Sequence, residues 1–253
     1  MLALVEHFYS IQGEGKYIGK LSLFFRFGGC NMTCKGFACE ELTPDGEKIL
    51  GCDTIYAVNR EHFSQNWQSI ESSEALLSIV DAYNLPRAVD IVLTGGEPLL
   101  YANDLLFIEF LEQLHRRGHT ICFETNGSLD VDFEKYPIYR ECEFTLSVKL
   151  SNSGEKLSKR VNAQAIKNIV NNAKDTYFKF SLSLLDDAEK FLVQEIAEIV
   201  SLAPNIDVYC MPLGSSKEEI ERGSESLIEF CKEKGYNFSD RLHIRVWNEK
   251  KGV

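Results

Sequence analysis

Four of the eight cysteines, Cys30, Cys34, Cys39 and Cys52, are crowded between positions 30 and 52, and the run RFGGCNMTC opens the group. Thiolates gathered locally bind zinc or an iron–sulfur centre. A structural zinc knuckle asks for a second Cys or His pair at knuckle spacing, and none follows. Three thiolates on a four-iron cluster leave one iron open, so such a cluster can bind a cofactor as well as pass an electron. Cys122, Cys142, Cys210 and Cys231 lie inside predicted elements or at their edges and read as small buried hydrophobes. A second chemical signal is TGGEP, Thr94–Pro98. Its glycines let backbone approach a ligand, and Glu97 offers a carboxylate that Pro98 holds extended; alone, the run is a turn. Arg26 is the only charge in the run LSLFFRF, and a buried guanidinium needs an anion.

These residues need a scaffold, and short apolar runs alternate with helical patterns. Strands are expected at 21–27, 89–94, 119–125, 144–148, 177–185, 206–211 and 241–247. Helices are expected at 72–85, 103–118 (capped by Asn103 or Asp104 and ended by Gly118), around 160–174, at 187–203 and at 216–235. Strands joined by helices of this length imply crossovers and a parallel sheet, either open or a partial (β/α) barrel. Chemistry then collects at the carboxyl ends of the strands. The residues just after Phe27, Leu93, Phe123, Leu146, Tyr209 and Ile244 should therefore share one cleft. On a last strand, His243 and Arg245 would point to one face, with Arg245 in an ion pair.

A net charge of −11 argues against binding a nucleic-acid backbone, which requires surplus Lys and Arg. No stretch reaches the ~20 apolar residues of a membrane span. The start MLALVEHFYSIQGEGK has no basic segment and its apolar run is broken by Glu6 and His7, so a signal peptide is not expected and the chain reads as cytoplasmic. Without repeats or linkers, residues 1–253 read as a single domain.

The three-cysteine opening followed by GGEP after the next strand resembles the radical S-adenosylmethionine superfamily. Further segments resemble one branch of it, the 7-carboxy-7-deazaguanine synthases: EHFYSIQGEG (6–15), FFRFGGC (24–30), CDT (52–54), ETNG (124–127), SVK (147–149), YCMPLG (209–214) and RLHIRVW (241–247). The resemblance implies an α/β fold, a partial barrel of mostly parallel strands. It implies a [4Fe–4S] cluster, S-adenosylmethionine and Mg²⁺. It also implies a radical ring contraction of 6-carboxy-5,6,7,8-tetrahydropterin to 7-carboxy-7-deazaguanine, with loss of ammonia, on the route to queuosine. An electron donor such as flavodoxin and a homodimer belong to the same expectation.

Carried over residue by residue, the resemblance puts the pterin on Ile11, Gln12, Gly13, Glu14, Arg26, Thr94 and His243. The partner of Arg26 would be the substrate carboxylate; the alternative is an internal salt bridge. S-adenosylmethionine would meet Gly96, Glu97, Ser147, Lys149 and Met211, Pro212, Leu213 and Gly214. The cluster would sit on Cys30, Cys34 and Cys52, and Mg²⁺ on Thr54, beside Asp53. The chain departs from the family pattern in an insertion, residues 35–51, which puts 17 residues between Cys34 and Cys52 and carries Cys39 as a competing thiol. Val148 replaces a usual proline, and some members of the family touch the substrate with the terminal carboxylate, here that of Val253. Two rival readings are a glycyl-radical-enzyme activase of the same superfamily and a non-catalytic, zinc-stabilised binding protein.

Overall fold

Side-chain alternation on two adjacent strands builds the inner wall of the molecule. In this computed structural model, which describes residues 2–184, 190–248 and 250, β1 (Leu2–Ile11) pairs antiparallel with β2 (Leu21–Phe27), Phe8 opposite Phe24. Leu23, Phe25 and Phe27 of β2 enter the main core, while Phe24 belongs to a separate small cluster with Val92, Cys122 and Phe8. Period-two alternation therefore turns Arg26, like Phe24, away from the main core.

An inserted hairpin, β3 (Cys39–Leu42) with β4 (Lys48–Gly51), stands apart as its own two-stranded sheet. The large sheet continues with β5 (Gln68–Ile70), β6 (Asp90–Gly95), β7 (Thr120–Thr125) and β8 (Cys142–Leu146). It ends with β9 (Asp175–Leu182), β10 (Val208–Pro212) and β11 (Asn237–Phe238). Its order is β11-β10-β9-β8-β7-β6-β2-β1-β5. Every ladder from β2 to β11 is parallel, and only β5–β1–β2 is antiparallel. The ends of that order, β11 and β5, do not pair, which makes the expected partial barrel.

Helices Ser73–Ala82, Leu105–Arg116, Ala163–Asn172, Lys190–Val200 and Lys217–Lys234 form the crossovers. Asp104 caps the second, its carboxylate accepting the Leu106 N–H at 3.0 Å. The apolar face of that helix seals the main core, with Phe107 edge-on to Phe27 and Phe110 edge-on to Phe25. No helix among the described residues is long and apolar enough to cross a membrane.

The structure corrects several of the expected elements. Residues 241–247 are not a strand: Leu242–Trp247 is a short helix. The edge beside β10 is taken by β11, and the Ser239 N–H closes that ladder on the Cys210 carbonyl at 2.9 Å. Of the seven residues only Ile244 is buried, too little for a strand with one face in the core. The long β1 was not expected, because Glu6 and His7 interrupt its apolar run. The end of the expected strand 177–185 and the start of the expected helix 187–203 lie outside the described residues, as does Val253.

Candidate functional site

The expected cleft exists. One cavity of about 1030 Å³ is lined by Cys30 after β2, Thr94–Gly96 at the end of β6, Glu124–Asn126 at the end of β7, Ser147–Lys149 after β8 and Met211 on β10. Ile244 reaches it too, from a helix rather than a strand.

At one end are thiols. Cys30, Cys34 and Cys52 all line the cavity, and so does Cys39, which the β3–β4 register sets opposite Gly51, the residue before Cys52. Burial raises the Cys30 thiol to about 12, with the charge of Glu97 adding to it, and raises Cys34 to about 11; Lys149 pulls both the other way. Such thiols are neutral when free and lose their protons to a metal that binds them. Among the described residues no three His, Cys, Asp or Glu side chains converge on a point that a single ion could occupy. The thiols instead line a wall beside open space, a soft donor set of the kind iron–sulfur clusters use. Thr54 and Asp53 line the cavity too; the Thr54 hydroxyl lies 3.5 Å from the Cys52 sulfur, and the Asp53 charge acts on Arg26 and Arg241.

The other end is polar and charged. Ile11, Gln12, Gly13, Glu14, Arg26, Thr94 and His243 all line the cavity. Glu14 pairs with Lys179 and with Arg241, each at 2.9 Å, and Lys179 also reaches Glu124 at 3.2 Å. Glu124 accepts from Thr94 at 3.2 Å and from Gln12 at 3.3 Å. Burial works to raise the Glu14 pKa, but Lys179, Arg241 and His243 outweigh it, and the carboxyl is held well below the usual range. Burial lowers His243, with Arg241 and Lys179 acting the same way and Glu14 opposing. Its Nδ1 is buried without a hydrogen-bond partner. An unmade bond of that kind costs about 1–3 kcal/mol.

The expected residues separate under this geometry. Gly96, Ser147, Lys149, Met211, Leu213 and Gly214 line the cavity, whereas Pro212 and Glu97 do not. Glu97, expected to meet S-adenosylmethionine, accepts three hydrogen bonds from within the chain. One oxygen accepts the Leu99 N–H (3.0 Å) and the Thr125 hydroxyl (2.7 Å), the other the Asn126 N–H (2.8 Å). With the side chain wholly buried, it ties the turn after β6 to the end of β7. The two glycines before it bring backbone to backbone: the Gly96 N–H reaches the Phe27 carbonyl (3.2 Å) and the Glu97 N–H the Gly29 carbonyl (2.9 Å). Arg26 has an internal anion, Glu6, at 2.7 Å, which also accepts from the Tyr56 hydroxyl at 2.9 Å. Arg245 pairs with Asp240.

Sequence reasoning missed Lys179, Glu124 and Arg241 as members of the site. A signal existed for the first, since Lys179 is the lone charge in the run YFKFSL, as Arg26 is in its strand.

A parallel α/β partial barrel with thiols clustered after its first parallel strand defines a class, the iron–sulfur cluster enzymes. Concordantly, the chain belongs to the family described as "4Fe-4S single cluster domain", whose profile matches residues 11–170, well over half of its length. It is 31% identical to the 7-carboxy-7-deazaguanine synthase of Hyperthermus butylicus over 97% of this chain and 93% of that protein. It is 29% identical to that of Clostridium acetobutylicum over 99% and 98%. The crystal structure of QueE from Escherichia coli superimposes with a TM-score of 0.65 at 21% identity, covering 96% of this chain and 94% of that one. Within the wider class the chain is a member of the 7-carboxy-7-deazaguanine synthases.

Proposed function

We propose that the chain converts 6-carboxy-5,6,7,8-tetrahydropterin to 7-carboxy-7-deazaguanine with loss of ammonia. One observation carries this reading: the thiol-lined end and the charged end belong to a single cavity, so a cluster and a polar heterocycle would be neighbours. Cys30, Cys34 and Cys52 would hold the [4Fe–4S] cluster, with Gly96, Ser147 and Lys149 beside it for S-adenosylmethionine. When bound, these two groups supply radical chemistry that no side chain in the cavity provides. Their electron comes from an external donor such as flavodoxin.

The side chains supply recognition and exclusion of water. A pterin edge presents adjacent donors and acceptors, and Gln12, Glu14 and Glu124 present the complementary set. His243 lines the cavity with its Nδ1 turned in against Gly13, so a substrate polar atom would meet the other edge of the ring, where Nε2 lies 3.8 Å from Glu14. Arg26 faces the cavity while holding Glu6, so a substrate carboxylate would share a guanidinium that is already oriented. Thr54 and Asp53 offer hard oxygen donors suited to Mg²⁺ with substrate and water completing its shell.

The test is anaerobic reconstitution followed by incubation with reductant, S-adenosylmethionine, Mg²⁺ and the pterin, with product followed by ultraviolet absorbance and mass. A new deazaguanine chromophore is expected. A chain carrying its full complement of iron and sulfide that leaves the pterin unchanged overturns the reading.

A further inference from the structure

The turn between Cys30 and Cys34 is gripped by a side chain 121 residues further along the chain. One Glu155 oxygen accepts the Thr33 N–H at 2.6 Å, the Cys34 N–H at 3.1 Å and the Thr33 hydroxyl at 3.1 Å. The other oxygen pairs with Lys159 at 2.9 Å. Contact between backbones reinforces this grip. A Cβ at Gly36 would lie 2.3 Å from the Asn152 carbonyl oxygen, so only glycine lets the segment after Cys34 lie against residues 152–154.

The segment bearing Glu155 is itself anchored. Buried Arg160 pairs with Glu195 and donates to the Lys149 carbonyl at 3.1 Å, while Glu195 accepts the Ser151 N–H at 2.7 Å. On the opposite flank of the turn, Asn31 bonds Asn126 at 2.9 Å and Ser128 at 2.8 Å. Cys34 holds a φ of +48°, which a non-glycine residue keeps only when its surroundings fix it.

We propose that Glu155 is the positioning residue of the cluster-binding turn: it fixes the Thr33 and Cys34 amides, and its charge sets how tightly the cluster is held and how readily it is reduced. The proposal rests on the assignment of the cluster to Cys30, Cys34 and Cys52. Cluster potentials respond to net charge and to hydrogen bonds at the sulfurs. A carboxylate next to the turn opposes an added electron, and amides it occupies are withheld from the cluster sulfurs. Both effects keep the potential low. Lys159 neutralises part of that charge and acts with the opposite sign.

The experiment compares the full-length chain with Glu155→Gln, Glu155→Ala and Lys159→Met. In the cluster-free protein, amide hydrogen exchange at Thr33 and Cys34 should run about tenfold faster in Glu155→Ala, the loss expected for a charge-assisted hydrogen bond, while amides of β2 stay unchanged. After reconstitution, Glu155→Gln should release iron to a chelator faster, with its cluster potential moved positive; Lys159→Met should move it negative. Unchanged exchange in Glu155→Ala overturns the positioning role. Equal potentials, or shifts of one sign in both charge variants, overturn the electrostatic role. If Glu155→Ala does not fold, Glu155→Met, which keeps the bulk of the side chain and removes the acceptor, carries the exchange measurement with the same outcomes. A wild-type chain that takes up no cluster overturns the cluster assignment, and the exchange data then decide the positioning of the turn by themselves.

Discussion

The Lys179 ammonium lies 2.9 Å from a carboxylate oxygen of Glu14, and its other contact, Glu124, is 3.2 Å away. One buried cation thus ties the segment between β1 and β2 to the carboxyl end of β7. It also sets the charge balance of the polar end, where Glu14 and Glu124 face Lys179 and Arg241. Replacing Lys179 by Met leaves two carboxylates close together with one cation. Removing one partner of a buried pair costs about 3–5 kcal/mol, and that loss is expected in urea denaturation of Lys179→Met. Adding Glu124→Gln should recover part of it. A single variant as stable as wild type would show that Lys179 does not hold this end together.

Stability should fall on acidification in two stages. Burial lowers His243 from its ordinary 6.5, so below that value the unfolded chain binds a proton the folded chain resists. The folded pKa of Glu14 is depressed from 4.5, so the ionised carboxylate stabilises fully above that value and progressively less as pH falls beneath it. In both windows the unfolded state holds more protons, and the slope has the same sign. Unfolding free energy should decline below about pH 6.5 and again below about pH 4.5. His243→Asn should flatten the first limb and Glu14→Gln the second. An acid limb untouched by both substitutions would assign the titration to other groups.

The two kinds of residue in this site differed in how far the sequence revealed them. LSLFFRF is legible as β2 because its alternation is local, and so is the Leu105–Arg116 helix with its Asp104 cap. RLHIRVW alternates just as well. What decides its conformation is not local: β11 already occupies the edge beside β10. The same holds for the charges. Arg26 could be flagged as a buried cation, but whether its anion was internal depended on Glu6 arriving opposite it across the β1–β2 ladder. Lys179 meets Glu14 across 165 positions and Glu124 across 55, distances that no periodicity reports.

Glu97 should prove structural in effect while altering cofactor affinity indirectly. Gln in its place turns one acceptor into a donor, facing the Asn126 N–H or the pair from Leu99 and Thr125. A buried donor left against a donor costs about 1–3 kcal/mol. Thermal unfolding of Glu97→Gln should show a loss of that size, and S-adenosylmethionine binding should weaken with it because Gly96 is its neighbour. A stable variant that has lost only cofactor binding would make Glu97 a direct ligand.

The four thiols that line the cavity should divide three to one. Cys30→Ala, Cys34→Ala and Cys52→Ala are each expected to strip the cluster after anaerobic reconstitution, and Cys39→Ala to retain it. Cys52 is followed by Asp53 and Thr54 on the cavity wall, whereas Cys39 opens the inserted hairpin. Iron and sulfide analysis separates the cases. Loss of iron in Cys39→Ala with retention in Cys52→Ala would move the third ligand into the insertion.

Gly13 offers the most local probe of substrate recognition. Its carbonyl accepts the Leu242 N–H at 2.8 Å, docking the start of the last helix, and the His243 ring then lies on its Cα. A methyl group at Gly13 would sit 2.2 Å from His243 Nδ1, so the ring must turn or the helix must lift. Either movement displaces the His243 ring, which lines the polar end, without touching a thiol. Gly13→Ala should therefore raise KM for the pterin about tenfold or more, the value of one well-placed hydrogen bond, with iron content and S-adenosylmethionine affinity unchanged. If KM stays constant while turnover falls, His243 acts after binding and its contact belongs to a later stage of the reaction. If neither changes, the ring has found another way to seat, and His243 is not what recognises the substrate.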